Sequence, residues 1–371
     1  MTVPPPPNQW GPQPATGGQP MDPPHWGSTR WGSPPGPPPS SGGKGKWIFG
    51  GIALLAVIAV TVVITVLVVG KDSGGGESPT PTNGNGSDFA SANDKGPANI
   101  LTEDPTCAAW TRVGNGLRDA ELKVGWPDRD ASVPAAAWTP EQRTTFESVG
   151  SAMTSAADQS VSLAKTTPHR VMREVYEQFI AYVHTFAESI PTYVPSSNDM
   201  AKVVDGLGGV LASICGAITY GSAAAQAPML PTPGAPSSIS TPSDLADPQR
   251  LFTTADPICG EWRPLLAKFF DDTRAWKAIS EDIPATAWTP EQKAINEAVA
   301  PVMEKYADDV EQLGRRSGNP ELEDFAVLSA QYRRAYVAAI PSYTPADNYL
   351  ASASTYLALT VDQACMAAGS G

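Results

Sequence analysis

From Trp47 to Gly70 the chain runs 24 residues without a charge, WIFGGIALLAVIAVTVVITVLVVG. At about 1.5 Å per residue this is roughly 36 Å of helix, enough to cross a hydrocarbon core of about 30 Å with some tilt. Its many β-branched residues, among them Val57, Ile58, Val60, Val62, Val63 and Ile64, do not argue for a strand. In hydrocarbon only an internally bonded backbone is tolerated. The pattern predicts one membrane-spanning helix over 47–70. A cleaved signal peptide carries an apolar region of about 7–15 residues close to the N-terminus, whereas here 46 residues come first. Further along, the apolar spacing becomes i, i+3, i+4, i+7, the mark of one buried helical face. Met200, Val203, Val204, Leu207, Val210, Leu211 and Ile214 form one such stripe, and Leu350, Ala353, Tyr356, Leu357, Val361 and Ala364 form another.

The regions that carry these stripes are two copies of one unit. Asp104-Pro105, Cys107 and Trp110 match Asp256-Pro257, Cys259 and Trp262 at an offset of 152. From Trp126, which matches Trp276, the offset is 150 to the end. At that offset AWTPEQ (137–142) matches 287–292, IPTYVPSSND (190–199) matches IPSYTPADNY (340–349), and Cys215 matches Cys365. Each copy reads as four helices. The first is expected to start at Asp104-Pro105 or Asp256-Pro257, with Asp as N-cap and Pro at the first helical position. Thr139 with Gln142, and Thr289 with Gln292, form capping boxes for the second. The third covers about 170–189 and 320–339 and ends before Pro191 or Pro341, which cannot continue a helix. The fourth follows Asn198 or Asn348. Neither copy has a strand pattern, so the fold expected is all-α: one transmembrane helix, then two tandem four-helix-bundle-like domains.

The cysteines fall one near the start and one near the end of each copy. Four cysteines permit three pairings, and duplication selects Cys107–Cys215 and Cys259–Cys365, because each unit then closes itself. An antiparallel four-helix arrangement brings those two ends together. Such bonds persist outside the cytoplasm. Free buried thiols are the competing reading; zinc spacing is absent.

Composition adds the sides of the membrane and the linkers. Residues 1–46 hold 14 of the 38 prolines and no long apolar run, so they read as a disordered Pro/Gly/Trp-rich tail. Lys44 and Lys46 precede the span, while Lys71 after it is offset by Asp72, and basic residues stay inside. The tail is therefore expected in the cytoplasm and the copies outside. The whole chain carries a net charge of −13, and everything beyond the span is acidic, which excludes nucleic acid as a partner. Residues 71–100 read as a flexible linker and 223–252 as a Pro/Ser/Thr-rich one, both open to O-linked sugars. The copies accordingly span 101–222 and 253–371.

The chemistry sought is mostly absent. Histidine occurs three times, at His25, His169 and His184, and Arg334 stands where His184 does in copy one. A Ser-His-Asp or Cys-His mechanism shared by both copies is excluded. So are paired Glu-x-x-His sites, and the phosphate-binding and nucleophile-elbow motifs. The expectation is no enzyme, no cofactor and no metal. The repeated motifs AWTPEQ and I-P-x-Y-x-P read first as a helix start and a rigid turn. Their functional reading is a ligand or partner surface made of Trp138, Tyr193, Trp288 and Tyr343. Trp10-Gly11, Trp26-Gly27 and Trp31-Gly32 in the tail suit an aromatic groove on a cytoplasmic partner.

On these residues, the Pro-rich start MTVPPPPNQWGPQP, the GKGKW border, the apolar span, and the Cys-flanked units with AWTPEQ and I-P-x-Y-x-P, the chain resembles actinobacterial, mycobacterial-type proline-rich single-pass membrane proteins of uncharacterised function. The resemblance implies a cell-envelope location and supplies no catalytic residues. The role expected is a plasma-membrane-anchored scaffold or interaction protein, touching lipid through the span and binding an envelope protein or wall component. The alternative is an extracytoplasmic pair of domains that senses or carries a small molecule or lipid.

Overall fold

Ten α-helices and no strand occupy residues 88–369, which are the residues the computed structural model describes. The tail 1–46, the span over 47–70 and the linker up to residue 87 lie outside the described residues. The first copy supplies α1 (Cys107–Lys123), α2 (Pro140–Thr166), α3 (Arg170–Ser189), α4 (Asn198–Thr219) and a short α5 (Ser222–Gln226). The second supplies α6 (Cys259–Asp272), a short α7 (Arg274–Lys277), α8 (Pro290–Arg316), α9 (Pro320–Ala339) and α10 (Asn348–Ala367). In the first copy α1 packs on α2 and α4, α2 on α3, and α3 on α4. The second repeats this with α6, α8, α9 and α10.

The capping boxes form as the sequence dictates. Gln142 N–H donates to Thr139 Oγ1 at 3.2 Å while Thr139 N–H donates to Gln142 Oε1 at 2.9 Å, and Thr289 with Gln292 repeats both distances. The first helices begin later than expected. Asp104 is not the N-cap; its Oδ1 accepts from the Thr106 N–H at 2.8 Å, and helix begins at Cys107. Asp256 accepts from Ile258 N–H at 2.9 Å, and α6 begins at Cys259. The carboxylate shapes a turn ahead of the helix instead of capping it. Cys107 and Cys215 are bonded, with Cα atoms 5.2 Å apart, as are Cys259 and Cys365 at 5.6 Å.

The most extensive helix contact joins the two copies, α4 against α10. The sequence stripe on α4 accounts for only one of its faces. The other is glycine: a Cβ at Gly206 would lie 2.5 Å from Thr360 Oγ1, at Gly209 2.6 Å from Tyr356 Cδ1, and at Gly216 2.3 Å from Tyr349 Cδ1. As one number rises its partner falls by nearly as much, which defines an antiparallel crossing. Small residues let the backbones approach until the tyrosine rings lie on bare helix. The stretch Pro195–Thr219 is long and apolar enough to cross a membrane, yet most of it is buried in the protein. Gly216→Ala is expected to cost about 1–3 kcal/mol by overpacking against Tyr349. Gly260→Ala on α6, where a Cβ meets nothing within 4 Å, should be neutral or stabilising by about 0.5–1 kcal/mol. Urea denaturation of the two variants checks the contrast.

The segments expected as linkers are packed where they are described. Ser91, Ala98, Ile100 and Leu101 are buried ahead of α1, and Leu245, Leu251 and Phe252 are buried between α5 and α6. Residues 223–252 are therefore not a free spacer; α5 and a second stretch running to Phe252 lie against the copies. One apolar cluster runs from Ala98 to Cys365 through both copies. The linker reading fails because a Pro/Ser-rich composition predicts low burial on average, whereas a few apolar side chains and backbone N–H groups suffice to pin an extended segment.

Candidate functional site

The four aromatic residues singled out by the repeated motifs sit inside turns. The Trp138 indole N–H donates to Val133 O at 2.9 Å, and the ring stacks on Phe146 at 4.1 Å between centroids. Tyr193 is 1% exposed, and its hydroxyl donates to Ala131 O at 2.8 Å. In the second copy Trp288 donates to Ile283 O at 2.9 Å, Tyr343 to Glu281 O at 2.7 Å, and the two rings stack 5.7 Å apart. The loops are stitched by Ala135 N–H to Tyr193 O at 2.9 Å and Ala285 N–H to Tyr343 O at 2.8 Å. These polar tips are spent within the fold. Trp138 and Tyr193, Trp288 and Tyr343 are brought together as pairs, but as wedges that fix the turn and not as an open aromatic groove.

What the fold builds instead is a buried charge cluster where α3 and α9 meet. Arg170 on α3 reaches across to Asp324 on α9 as a two-pronged pair, Nε to Oδ2 at 2.7 Å and Nη2 to Oδ1 at 2.9 Å. Both side chains are 1% exposed. The Arg170 Nη1 donates to Asp94 O at 2.9 Å and Gly96 O at 3.0 Å, so one guanidinium fastens the N-terminal segment and both copies. Arg173 binds Glu177 at 2.9 Å and the Ser240 carbonyl at 3.3 Å. The segment after α5 closes over these acids through backbone and hydroxyl donors. Ser243 N–H donates to Glu177 at 3.0 Å, Ser240 Oγ–H to Glu174, and Ser237 N–H to Glu323 at 3.1 Å. Gln178 accepts from Leu251 N–H at 2.6 Å and donates to Glu321 at 2.7 Å.

Carboxylates outnumber guanidiniums here, and the electrostatics show it. Burial, then Asp324 and Glu321, push the Glu174 carboxyl well above its ordinary range. Burial, then Glu177, push Glu321 up to about 7. Burial raises Asp324 too, against the pull of Arg170. Burial alone would lower Arg170, but its bond to Asp324 and the surrounding negative charge hold it firmly protonated. These acids bind protons more tightly folded than unfolded. Their contribution is complete below the unfolded carboxylate pKa and is lost as pH rises through the folded value. Stability of the described helical region is therefore expected to fall by about 1–3 kcal/mol between pH 5 and pH 7.5, readable from urea midpoints at the two pH values. The cluster is sealed: Arg170, Arg173, Glu174 and Glu177 are 1% exposed or less. Its arrangement suits a clamp.

Beside the clamp lies an open groove of about 510 Å³, between residues 229–234 and one face of α8 and α9. Glu304, Asp308 and Glu311 approach it from α8, and Gln331, Arg334 and Val337 from α9. Arg334 is shared by Asp308 and Glu311 at 2.7 Å each. The Gln331 Nε2 is buried without a hydrogen-bond partner, in a residue 1% exposed. Burial raises the Glu304 carboxyl, against the charge of Arg334. Sequence reading passed over this site. A signal was present, because at the 150-residue offset Glu304, Glu311, Gln331 and Arg334 replace Thr154, Val161, Ala181 and His184. Copy two carries two carboxylates, an amide and a guanidinium on one face where copy one has none of these.

The family described as mycobacterial ESX-1 associated protein matches residues 89–369. The chain belongs to the mycobacterial ESX-1 associated family. Membership covers the whole charge cluster, both disulfides and the groove. An uncharacterised protein of Mycolicibacterium smegmatis strain MKD8 is 46% identical to this family member over 341 residues, covering 90% of this chain and 89% of the relative. That alignment is longer than the stretch from residue 89 to the end, so the likeness reaches into the N-terminal region. No solved structure matches the chain.

Proposed function

We propose that this ESX-1 associated protein is a membrane-anchored, non-enzymatic interaction module of the mycobacterial envelope, serving a secretion-related assembly. In this reading the helix over 47–70 is the anchor, the Pro-rich tail meets a cytoplasmic partner, and two duplicated four-helix bundles stand outside. The observation that carries it is the sealed clamp. Arg170, Asp324 and the segment 237–251 lock both copies into one body, and each copy is closed by its own disulfide. A body fixed this way keeps a constant surface for docking, and the clamp's own charged groups are used up inside. The disulfides support an oxidising location, and family membership supports the link to ESX-1.

The test is a deletion strain complemented with full-length chain or with a chain lacking 88–369. Secretion through ESX-1 should be restored only by the former. Equal restoration by both, or a tail labelled from outside intact cells, would sink the reading. The groove favours a second reading, in which the outer region recognises a small ligand; its volume falls in the range of ligand pockets, about 300–1,000 Å³.

A further inference from the structure

We propose that the groove between residues 229–234 and the α8–α9 face is a recognition site for a lysine or arginine residue of a partner polypeptide. The inference concerns ligand class and stands whether or not the membrane anchoring holds. Four observations converge on it. The ionisable groups lining the groove are Glu304, Asp308, Glu311 and Arg334, an excess of negative charge. Asp308 and Glu311 are both engaged by Arg334, which leaves the half-buried Glu304 as the carboxylate facing the groove without an ion pair among the described residues. The Gln331 amide is buried with its Nε2–H donors unpartnered. Apart from Thr232 the remaining walls are apolar, with Pro231 and Pro233 on one side and Val337 on the other.

A buried amide donor without an acceptor costs free energy, and so does a half-buried carboxylate whose one nearby cation, Arg334, is already bonded to two other carboxylates. One ligand relieves both only if it carries a cation and an acceptor joined by an apolar stem. A lysine or arginine residue within a peptide has that form. Its main-chain carbonyl accepts from Gln331, its methylenes lie along the prolines and Val337, and its charged end reaches Glu304. A simple metal ion does not fit, because the site offers one free carboxylate and a donor. An anion is repelled. The divergence between copies agrees: Thr154 and Ala181 occupy the places of Glu304 and Gln331 in copy one, so a single such site is expected per chain.

The experiment uses the full-length chain in detergent micelles and isothermal titration. The probes are acetyl-Ala-Lys-Ala-amide, its arginine counterpart, the norleucine counterpart, and spermidine. Lysine and arginine peptides should bind saturably, with affinity falling as salt rises. The norleucine peptide should bind at least ~10-fold more weakly. Glu304→Gln and Gln331→Leu should each weaken the lysine peptide by ~10-fold or more, with melting temperature and circular dichroism unchanged. Lys305→Gln, outside the groove, should leave binding intact. Equal binding of lysine and norleucine peptides, unchanged affinity in Glu304→Gln, or no saturation by about 10 mM peptide, a bound near 3 kcal/mol, each overturns the proposal. Spermidine binding as tightly as the peptides would reassign the site to free polyamines and likewise overturn the polypeptide source. Because secretion is not the readout, failure here leaves the envelope-module reading standing, and failure of that reading leaves this one testable.

Discussion

Arg170→Met is expected to lower the stability of the helical region 88–369 by about 3–5 kcal/mol, the scale for stranding one half of a buried ion pair. The loss has three sources. Asp324 stays 1% exposed with no guanidinium against it. The carbonyls of Asp94 and Gly96 lose their donor. Glu174, within 3.7 Å of Arg170 Nε, loses a neighbouring positive charge. The effect should be smaller at pH 5 than at pH 7.5, because the stranded carboxyl escapes part of the cost by taking a proton. Adding Asp324→Leu should recover a large part of the loss, since an apolar pair of similar volume is often as stable as a buried ion pair. Urea denaturation followed by tryptophan fluorescence, as a double-mutant cycle at both pH values, measures the coupling directly. A coupling near zero would mean that the clamp is not what holds the copies together.

The second large effect concerns the disulfides. Each closes more than a hundred residues, with sequence separations of 108 and 106. Loop-closure entropy assigns roughly 4–5 kcal/mol to a loop of this size. Cys107→Ser with Cys215→Ser, or Cys259→Ser with Cys365→Ser, should therefore each reduce stability by about 4 kcal/mol. All four sulfurs belong to residues 6% exposed or less, so thiol reagents should find no reactive group until the protein is unfolded and reduced. A denaturation midpoint indifferent to reductant would contradict the assignment.

Much of the helical layout was legible from local chemistry. Thr-Pro-Glu-Gln encodes a capping box wherever it occurs, Pro191 and Pro341 stop helices, and both third helices fall at the residues the pattern indicated. The start of α1 was misplaced because Asp-Pro serves a turn as readily as a cap, and only the Asp104 bonds to Thr106 and Thr167 distinguish the two. The candidate sites were less legible. Trp138 and Tyr193 looked available because their motif is repeated, yet repetition records the need for a turn as much as for a ligand. Glu304 and Gln331 drew no notice because neither belongs to a motif. Their meaning comes from the chain around 229–234 crossing above them.

The sequence alone determined the duplication, the helical character of both copies, the pairing of the cysteines, and that the second copy carries no histidine. These follow from residue identity and short-range spacing. Tertiary structure decided the rest: that α4 and α10 meet through glycine and tyrosine, that a Pro/Ser-rich connection lies over α3 and α9, and that Arg170 finds its counter-charge 154 residues away in the other copy. Periodicity reports which face of a helix avoids water. It does not report which partner covers that face, because burial is rewarded nearly without regard to direction, whereas a buried charge has to find one particular partner to be tolerated at all.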